Sequence, residues 1–388
     1  MVKIVIMTLG SAGDLHPFLA VARALHEQGT DVLLASQASH EAEVRAQGVR
    51  FAAIATAEDE ARTLAHPDLW HPIRGLGVLW RHLVVPSIEP STQLLGALSR
   101  KTGALRVLAS PLAIGARLAA DRWPLRLTLA HTAPTSLRSV ATPMFLGPYH
   151  APDWLPTRAR HWLWQGLDAW RLEPMARATL NVWRRNQALP PLVGSVFGDW
   201  LHRGQPSCGL WPPEFAAPPG DVPPGFWLCG FPLYDAGSPA GQDRGEVVLY
   251  PGSVATPAAQ AMCAASEALA AQGTACRLLA PETPRAHLPS LLEAAKVFVH
   301  HGGIGAIAQG LRAGVHQLVM PSAYDQPQNA WRLAQLMGGP VGTRPGTLLN
   351  DIRQCLLAPR PAPRAWPLSI PGQPNAAVQQ LVDHLKAG

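Results

Sequence analysis

The first apolar run, "KIVIM" at 3–7, has no polar alternation. A strand that is apolar on both faces belongs inside a parallel sheet. "GSAGD" at 10–14 then reads as a turn, and "PFLAVARALHEQG" at 17–29 as a helix with Phe18, Val21, Ala22 and Leu25 on one face. Pro17 stands near its start and Gly29 beyond its end, the asymmetry expected of helix termini. "DVLLAS" at 31–36 is the next strand. Strand, helix and strand in this order predict an α/β fold with a doubly wound sheet.

From about 60 to 205 the periodicity is weaker and tryptophans accumulate. Helices are expected within 66–91 and 153–185, with strands at 104–110 and 125–131. The Pro-Pro pairs of 211–233 cannot continue a helix or a central strand, so this stretch reads as a linker. The rhythm then resumes. Strands are expected from 246, at 276–281, 296–300 and 317–321, and helices at 257–273, 288–295 and within 302–314. The expected organisation is an N-terminal domain at 1–210, a linker at 211–233, a C-terminal domain at 234–370, and a last helix at 371–388 returning to the first domain. Such a pair of α/β halves would hold a cleft, with the C-terminal ends of both sets of strands facing it.

Composition narrows the picture. At 388 residues and 47% hydrophobic, the chain is long enough for about two domains with sizeable cores. Its 39 prolines are roughly twice the usual ~5% and imply many irregular connections. A net charge of +6 with scattered arginines suits an anionic small molecule or a membrane surface better than nucleic acid. Cys208, Cys229, Cys263, Cys276 and Cys355 are widely spaced, indicating neither a zinc site nor a disulfide framework. The N-terminal apolar run is too short for a signal peptide, and no run reaches ~18 apolar residues. A cytoplasmic protein, at most peripheral at the inner membrane face, is expected.

"HHGGIGAIAQGLRAG" at 300–314 follows a strand, and Ile304, Ile307, Ala308 and Leu311 give it one apolar helical face, with Gly314 at a cap position. A glycine turn feeding a helix N-terminus presents free N–H groups and the positive end of the dipole, an anion site on physical grounds. His300, His301, Gly302, Gly303 and Gly305 are its candidate residues, though a plain turn with a core histidine would look the same. "PSAYDQPQNA" occupies the neighbouring strand-end loop, where Asp325 and Gln326 offer an acceptor and an amide for sugar hydroxyls, or else cap the next helix.

The order "HHGGIGA…GLRAGVHQLVMPSAYDQPQNA", with "GSAGD" after the first strand, resembles the family 1 glycosyltransferases and their bacterial relatives, which have the GT-B fold of two Rossmann-like domains. The resemblance spans nearly the whole chain. "HPDLWHPIRGLGVLW" and "FAAPPGDVPPGFWLCGFPLYD" are further similar to the rhamnosyltransferases of rhamnolipid synthesis. By that resemblance, His301, Gly302 and Gly303, with His300, Gly252, Ser253, Ala286, Gly305 and Ala306, would hold the nucleotide diphosphate, and Asp325 and Gln326 the sugar. No metal or other cofactor is implied, because the helix N-terminus and hydrogen-bonding side chains stabilise the leaving diphosphate. Asp14 is the candidate base for the acceptor hydroxyl, with His16 second, giving one inverting displacement. The alternative is that Asp14 merely caps its helix.

The resemblance further implies dTDP-L-rhamnose as donor, a 3-(3-hydroxyalkanoyloxy)alkanoic acid as acceptor and an acyl-dimer synthase as partner. Ala306 stands where many relatives have threonine or serine, Gln309 where plant relatives have glutamate, and His316 where proline is usual. The segment between Pro281 and Leu288 is also short for the family. Other readings remain. The same fold could use UDP-glucose on a sterol, polyketide or flavonoid, or serve as a non-catalytic nucleotide-binding activator. A dehydrogenase fits least, since "GSAGD" lacks the G-x-G-x-x-G spacing. Trp154, Trp162, Trp164, Trp170 and Trp183, interleaved with Arg158, Arg160, Arg171 and Arg177, read as core packing of inserted helices, as an acceptor channel, or as a peripheral membrane face.

Overall fold

The computed structural model of the chain describes residues 3–102, 105–147, 149–152, 154–235, 246–252, 256–279, 288–363 and 376–387. It divides into two compact units, Met1–Pro232 with Pro371–Gly388, and Leu233–Ile370.

The first unit is built on strands β1 (Ile4–Met7), β2 (Val32–Gln37), β3 (Arg50–Ala55), β4 (Leu105–Ala109) and β5 (Leu125–His131). A two-strand hairpin, β6 (Phe145–Leu146) and β7 (Tyr149–His150), stands apart, and β8 (Ser207–Gly209) and β9 (Phe226–Leu228) complete the main sheet. Its order is β3-β2-β1-β4-β5-β8-β9, parallel throughout. β1 is buried along its whole length, as its unbroken apolar run requires. Val5, Met7, Leu33, Ala35 and Val107 point into one large core shared with Leu95, Ala116 and Trp183.

The first helix, α1 (Ala12–Glu27), starts five residues earlier than Pro17 suggested. Ser11 and Asp14 form a capping box, which fixes the start and leaves Pro17 inside the helix. The 211–233 stretch also differs from a linker. Trp211, Phe215 and Phe231 are buried, Phe226–Leu228 forms the outermost strand, and Trp211 donates its indole N–H to the Ala216 carbonyl at 3.0 Å. Its prolines flank an edge strand instead of interrupting a central one, a position that proline tolerates. The C-terminal helix, Ala376–Ala387, packs on α1. It buries Ala377, Val378, Leu381, Val382 and Leu385, and its Leu385 carbonyl accepts from Arg106 at 2.7 Å.

The second unit holds β10 (Val247–Tyr250), β11 (Cys276–Leu278), β12 (Val297–His300) and β13 (His316–Val319), all parallel in the order β11-β10-β12-β13. Alternation sends Val247, Leu249, Val297 and Val299 to a core with Met262, Leu269 and Ile352. Val248 and Phe298 go to the opposite core, with Leu291, Leu292 and Ala306. Both faces of this sheet are therefore covered, and its strand-end loops are the surfaces left for chemistry.

Candidate functional site

In the first unit, the chemistry gathers at the C-terminal end of β1. Gly10 has φ +126°, and a Cβ there would lie 2.3 Å from Asp14 Oδ2. Only glycine gives the carboxylate room to fold back over the turn. Asp14 Oδ2 accepts from the Ser11 backbone N–H at 2.9 Å and from its hydroxyl at 3.1 Å. Oδ1 receives one long contact, the Thr132 hydroxyl at 3.4 Å from the loop after β5. Asp14 thus does cap its helix, but the cap occupies one oxygen and leaves the other lightly held. Burial pushes the carboxyl above the usual range, opposed by the Ser11 and Thr132 hydrogen bonds.

The turn is fixed from behind by Gln37, at the end of β2. Its Oε1 accepts from the Gly10 N–H at 3.0 Å, and its Nε2 donates to the Gly10 carbonyl at 2.7 Å and to Glu60 at 3.1 Å. His16 does not join Asp14: its Nε2 is 3.1 Å from Glu43 Oε1.

In the second unit, the helix Ile304–Ala313 begins on Gly303 with no side-chain cap and ends on Gly314 in the left-handed conformation. Its first intrahelical bond runs from the Ile307 N–H to the Gly303 carbonyl. The N–H groups of Ile304, Gly305 and Ala306 therefore have no acceptor within the helix. His301 lies beside this terminus. Cβ atoms on Gly303 and Gly252 would stand 2.6 Å from its Nε2 and 3.1 Å from its Nδ1, so the two glycines make room for the ring. Tyr250 meets it edge-on at 5.4 Å, and among the described residues its buried Nδ1 has no hydrogen-bond partner of good geometry. Burial lowers its basicity, so the ring is neutral near pH 7.

His300 behaves differently from the ligand contact expected of it. It is fully buried: its Nδ1 accepts from the Gly302 N–H at 3.1 Å, and its Nε2 pairs with Gln317 Oε1 at 3.0 Å. Both ring nitrogens are spent on holding the turn, and burial drives its pKa down to about 3. Ala306 contributes its N–H, while its methyl belongs to the Phe298 core. Gly305 is open, with nothing within 4 Å of a Cβ position. Ser253 and Ala286 lie outside the described residues.

Asp325 and Gln326 are at the next loop, where Asp325 is the N-cap residue of the helix Gln326–Met337. Gln326 Oε1 accepts from the N–H groups of Ser322 at 2.7 Å and Ala323 at 3.2 Å. Asn329 Nδ2 donates both to Asp325 Oδ2 at 2.6 Å and to the Gly302 carbonyl at 3.1 Å. The sugar candidates and the phosphate candidates are thus tied into one hydrogen-bonded pair of loops.

Residues 4–83 match the glycosyltransferase family 28 N-terminal domain, and residues 277–357 match the erythromycin biosynthesis protein CIII-like C-terminal domain. The chain is 28% identical to an O-mycaminosyltylonolide 6-deoxyallosyltransferase of Streptomyces fradiae, over 92% of this chain and 88% of that one. Its fold superposes on a spinosyn rhamnosyltransferase with a TM-score of 0.60 at 18% identity, covering 100% of this chain and 96% of that one. A Streptomyces sp. SF2575 glycosyltransferase complexed with thymidine diphosphate gives 0.59 at 16% identity, over 100% and 96%. The chain has the GT-B fold, and the N-terminal domain model and the full-length relative it matches are both those of glycosyltransferases.

Three residues of these two clusters escaped sequence reasoning. Gln37 and Thr132 stand at or just after strand ends, on the same edge of the sheet as Gly10, and the rule that chemistry collects there could have flagged both. Asn329 lies four residues after Asp325, one helical turn on, so the spacing itself offered the contact. Gln309 donates to Asp235 at 3.1 Å, and Arg312 pairs with the same carboxylate.

Proposed function

We propose that the protein is a glycosyltransferase that moves L-rhamnose from dTDP-L-rhamnose to the free hydroxyl of a 3-(3-hydroxyalkanoyloxy)alkanoic acid, with inversion and without a metal. The observation that carries the reading is the uncapped N-terminus of Ile304–Ala313, with neutral His301 seated against two glycines beside it. Three free N–H groups and the dipole would neutralise the departing dTDP, the task a metal ion performs elsewhere. Asp325 and Gln326 would orient the sugar. Asp14 would take the acceptor proton on Oδ1 as the acceptor oxygen attacks the anomeric carbon and the diphosphate leaves. A carboxylate made more basic by burial suits that step.

Donor choice draws its support from the relatives. One is named for a 6-deoxy sugar, one for rhamnose, and one binds thymidine diphosphate. Gln309, engaged with Asp235, adds no carboxylate for ribose hydroxyls, which agrees with a deoxyribose nucleotide.

The test is turnover of the purified protein with dTDP-L-rhamnose, dTDP-glucose and UDP-glucose, with and without EDTA. The expected product carries an inverted anomeric centre, forms fastest from dTDP-L-rhamnose and is insensitive to chelation. Preference for UDP-glucose would overturn the rhamnosyl assignment.

A further inference from the structure

The helix Thr157–Leu167 is turned inside out. Its buried side carries polar and charged groups at spacing four. Arg160 donates to the Ala141 carbonyl at 3.3 Å, Trp164 donates its indole N–H to the Ser139 carbonyl at 2.8 Å, and Asp168, just beyond the helix, pairs with Arg138. Arg138 also lies 5.5 Å from the Trp164 ring centroid.

Positions two residues away fall on the opposite side, because two steps of a 3.6-residue helix turn it through about 200°. There the chain places Trp162, which is 76% exposed. Trp170 continues the series through the π-helical turn Asp168–Leu172 and is 68% exposed, while Trp154, just before the helix, is 79% exposed. Soluble surfaces scatter single apolar residues, whereas bulky indoles gathered along one segment mark a surface with a partner.

We infer that this face docks on an anionic lipid bilayer. Two observations select that occupant. Indole rings favour the boundary between headgroups and acyl chains, having an apolar body and one N–H donor. Arg158 is exposed one helical turn before Trp162, and residues 154–167 contain no aspartate or glutamate, while Asp168 just beyond them is buried against Arg138. No helix among the described residues is long and apolar enough to cross a membrane. The helix therefore lies along the surface, its Trp side in the interfacial layer, with Arg158 against lipid phosphates. This goes beyond the transfer reaction and does not depend on the donor or acceptor assigned above.

The experiment is co-sedimentation of the full chain with vesicles of phosphatidylcholine alone and of phosphatidylcholine mixed with phosphatidylglycerol. Binding is expected to the anionic vesicles, weakened by high salt and accompanied by a blue shift of indole emission. The double variant Trp162→Ser/Trp170→Ser should bind them about tenfold more weakly. It should keep the wild-type melting temperature, because both rings are solvent-exposed. Three results would overturn the inference: no binding of the wild type to anionic vesicles, undiminished binding of the double variant, or a wild-type dimer that the double variant converts to monomer, which would make a second copy the occupant.

Discussion

At the end of β1, the N-terminus of α1 is filled by its own sequence: Ser11 stands at the N-cap and Asp14 at the third helical position, where its carboxylate bonds back to Ser11. At the end of β12, the helix Ile304–Ala313 has Gly303 at the N-cap and Ala306 at the third position, and among the described residues no side chain caps it. Both are strand, glycine turn and helix, and both turns need a left-handed glycine, Gly10 at +126° and Gly302 at +92°. The same local geometry therefore serves opposite electrostatic ends. One terminus carries its own carboxylate, which would suit a base. The other presents free N–H groups, which would suit an incoming anion. Two positions, the N-cap and the third residue, decide which.

The largest expected effect tests the first terminus. Asp14→Asn keeps an oxygen to accept from Ser11, so the cap survives while the base is lost. The turnover number should fall by about 10²- to 10⁴-fold with the donor KM unchanged. Steady-state kinetics measures this, and full activity would return Asp14 to a purely capping role.

How much of this contrast was legible depended on whether the signal was local. "KIVIM", "VFVH" and the apolar faces of the helices are short-range patterns, and they placed β1, β12 and Ile304–Ala313 within a residue or two. The glycine clusters likewise marked both turns. Other features depend on tertiary contact. His300 and His301 are neighbours of one residue type, yet one is locked by Gln317 while the other sits between glycines of two loops. Nothing in the dipeptide separates them. The Gln37 clamp on Gly10 joins residues 27 apart and is visible only once β2 lies beside β1. The 211–233 stretch misled because proline density reports the absence of helix, not the absence of a buried edge strand.

At the second terminus, His301→Ala should weaken binding of dTDP about tenfold, the loss of one charge-assisted hydrogen bond, with little change in the melting temperature. Isothermal titration calorimetry is the direct measurement. An unchanged affinity would leave phosphate binding to the backbone alone. A smaller effect of opposite sign is expected from Ala306→Ser. It places a hydroxyl at the position that carries the carboxylate of Asp14 in the other terminus. A helical side chain leans toward the N-terminus, so the new group would reach the diphosphate and tighten dTDP binding about fivefold. Weaker binding would mean that the methyl's place in the Phe298 core matters more than its position on the helix.

The smallest effect concerns stability, and its sign follows from Asp14 itself. Burial raises the carboxyl in the folded chain above its unfolded value, so the folded state holds that proton more tightly than the unfolded state does. This contribution is fully present below the unfolded value and is lost as pH rises through the folded one. At neutral pH, the ionised carboxylate is therefore a net cost to the first unit. Asp14→Asn removes the cost, so the variant should melt slightly higher than wild type at pH about 7, by a margin that shrinks as the pH is lowered toward about 4. Thermal denaturation followed by circular dichroism across that range measures the margin. A variant that melts lower than wild type at neutral pH would show that the Ser11 hydrogen bonds to the charged carboxylate outweigh its desolvation, making the first terminus a stabilising cap before it is a base.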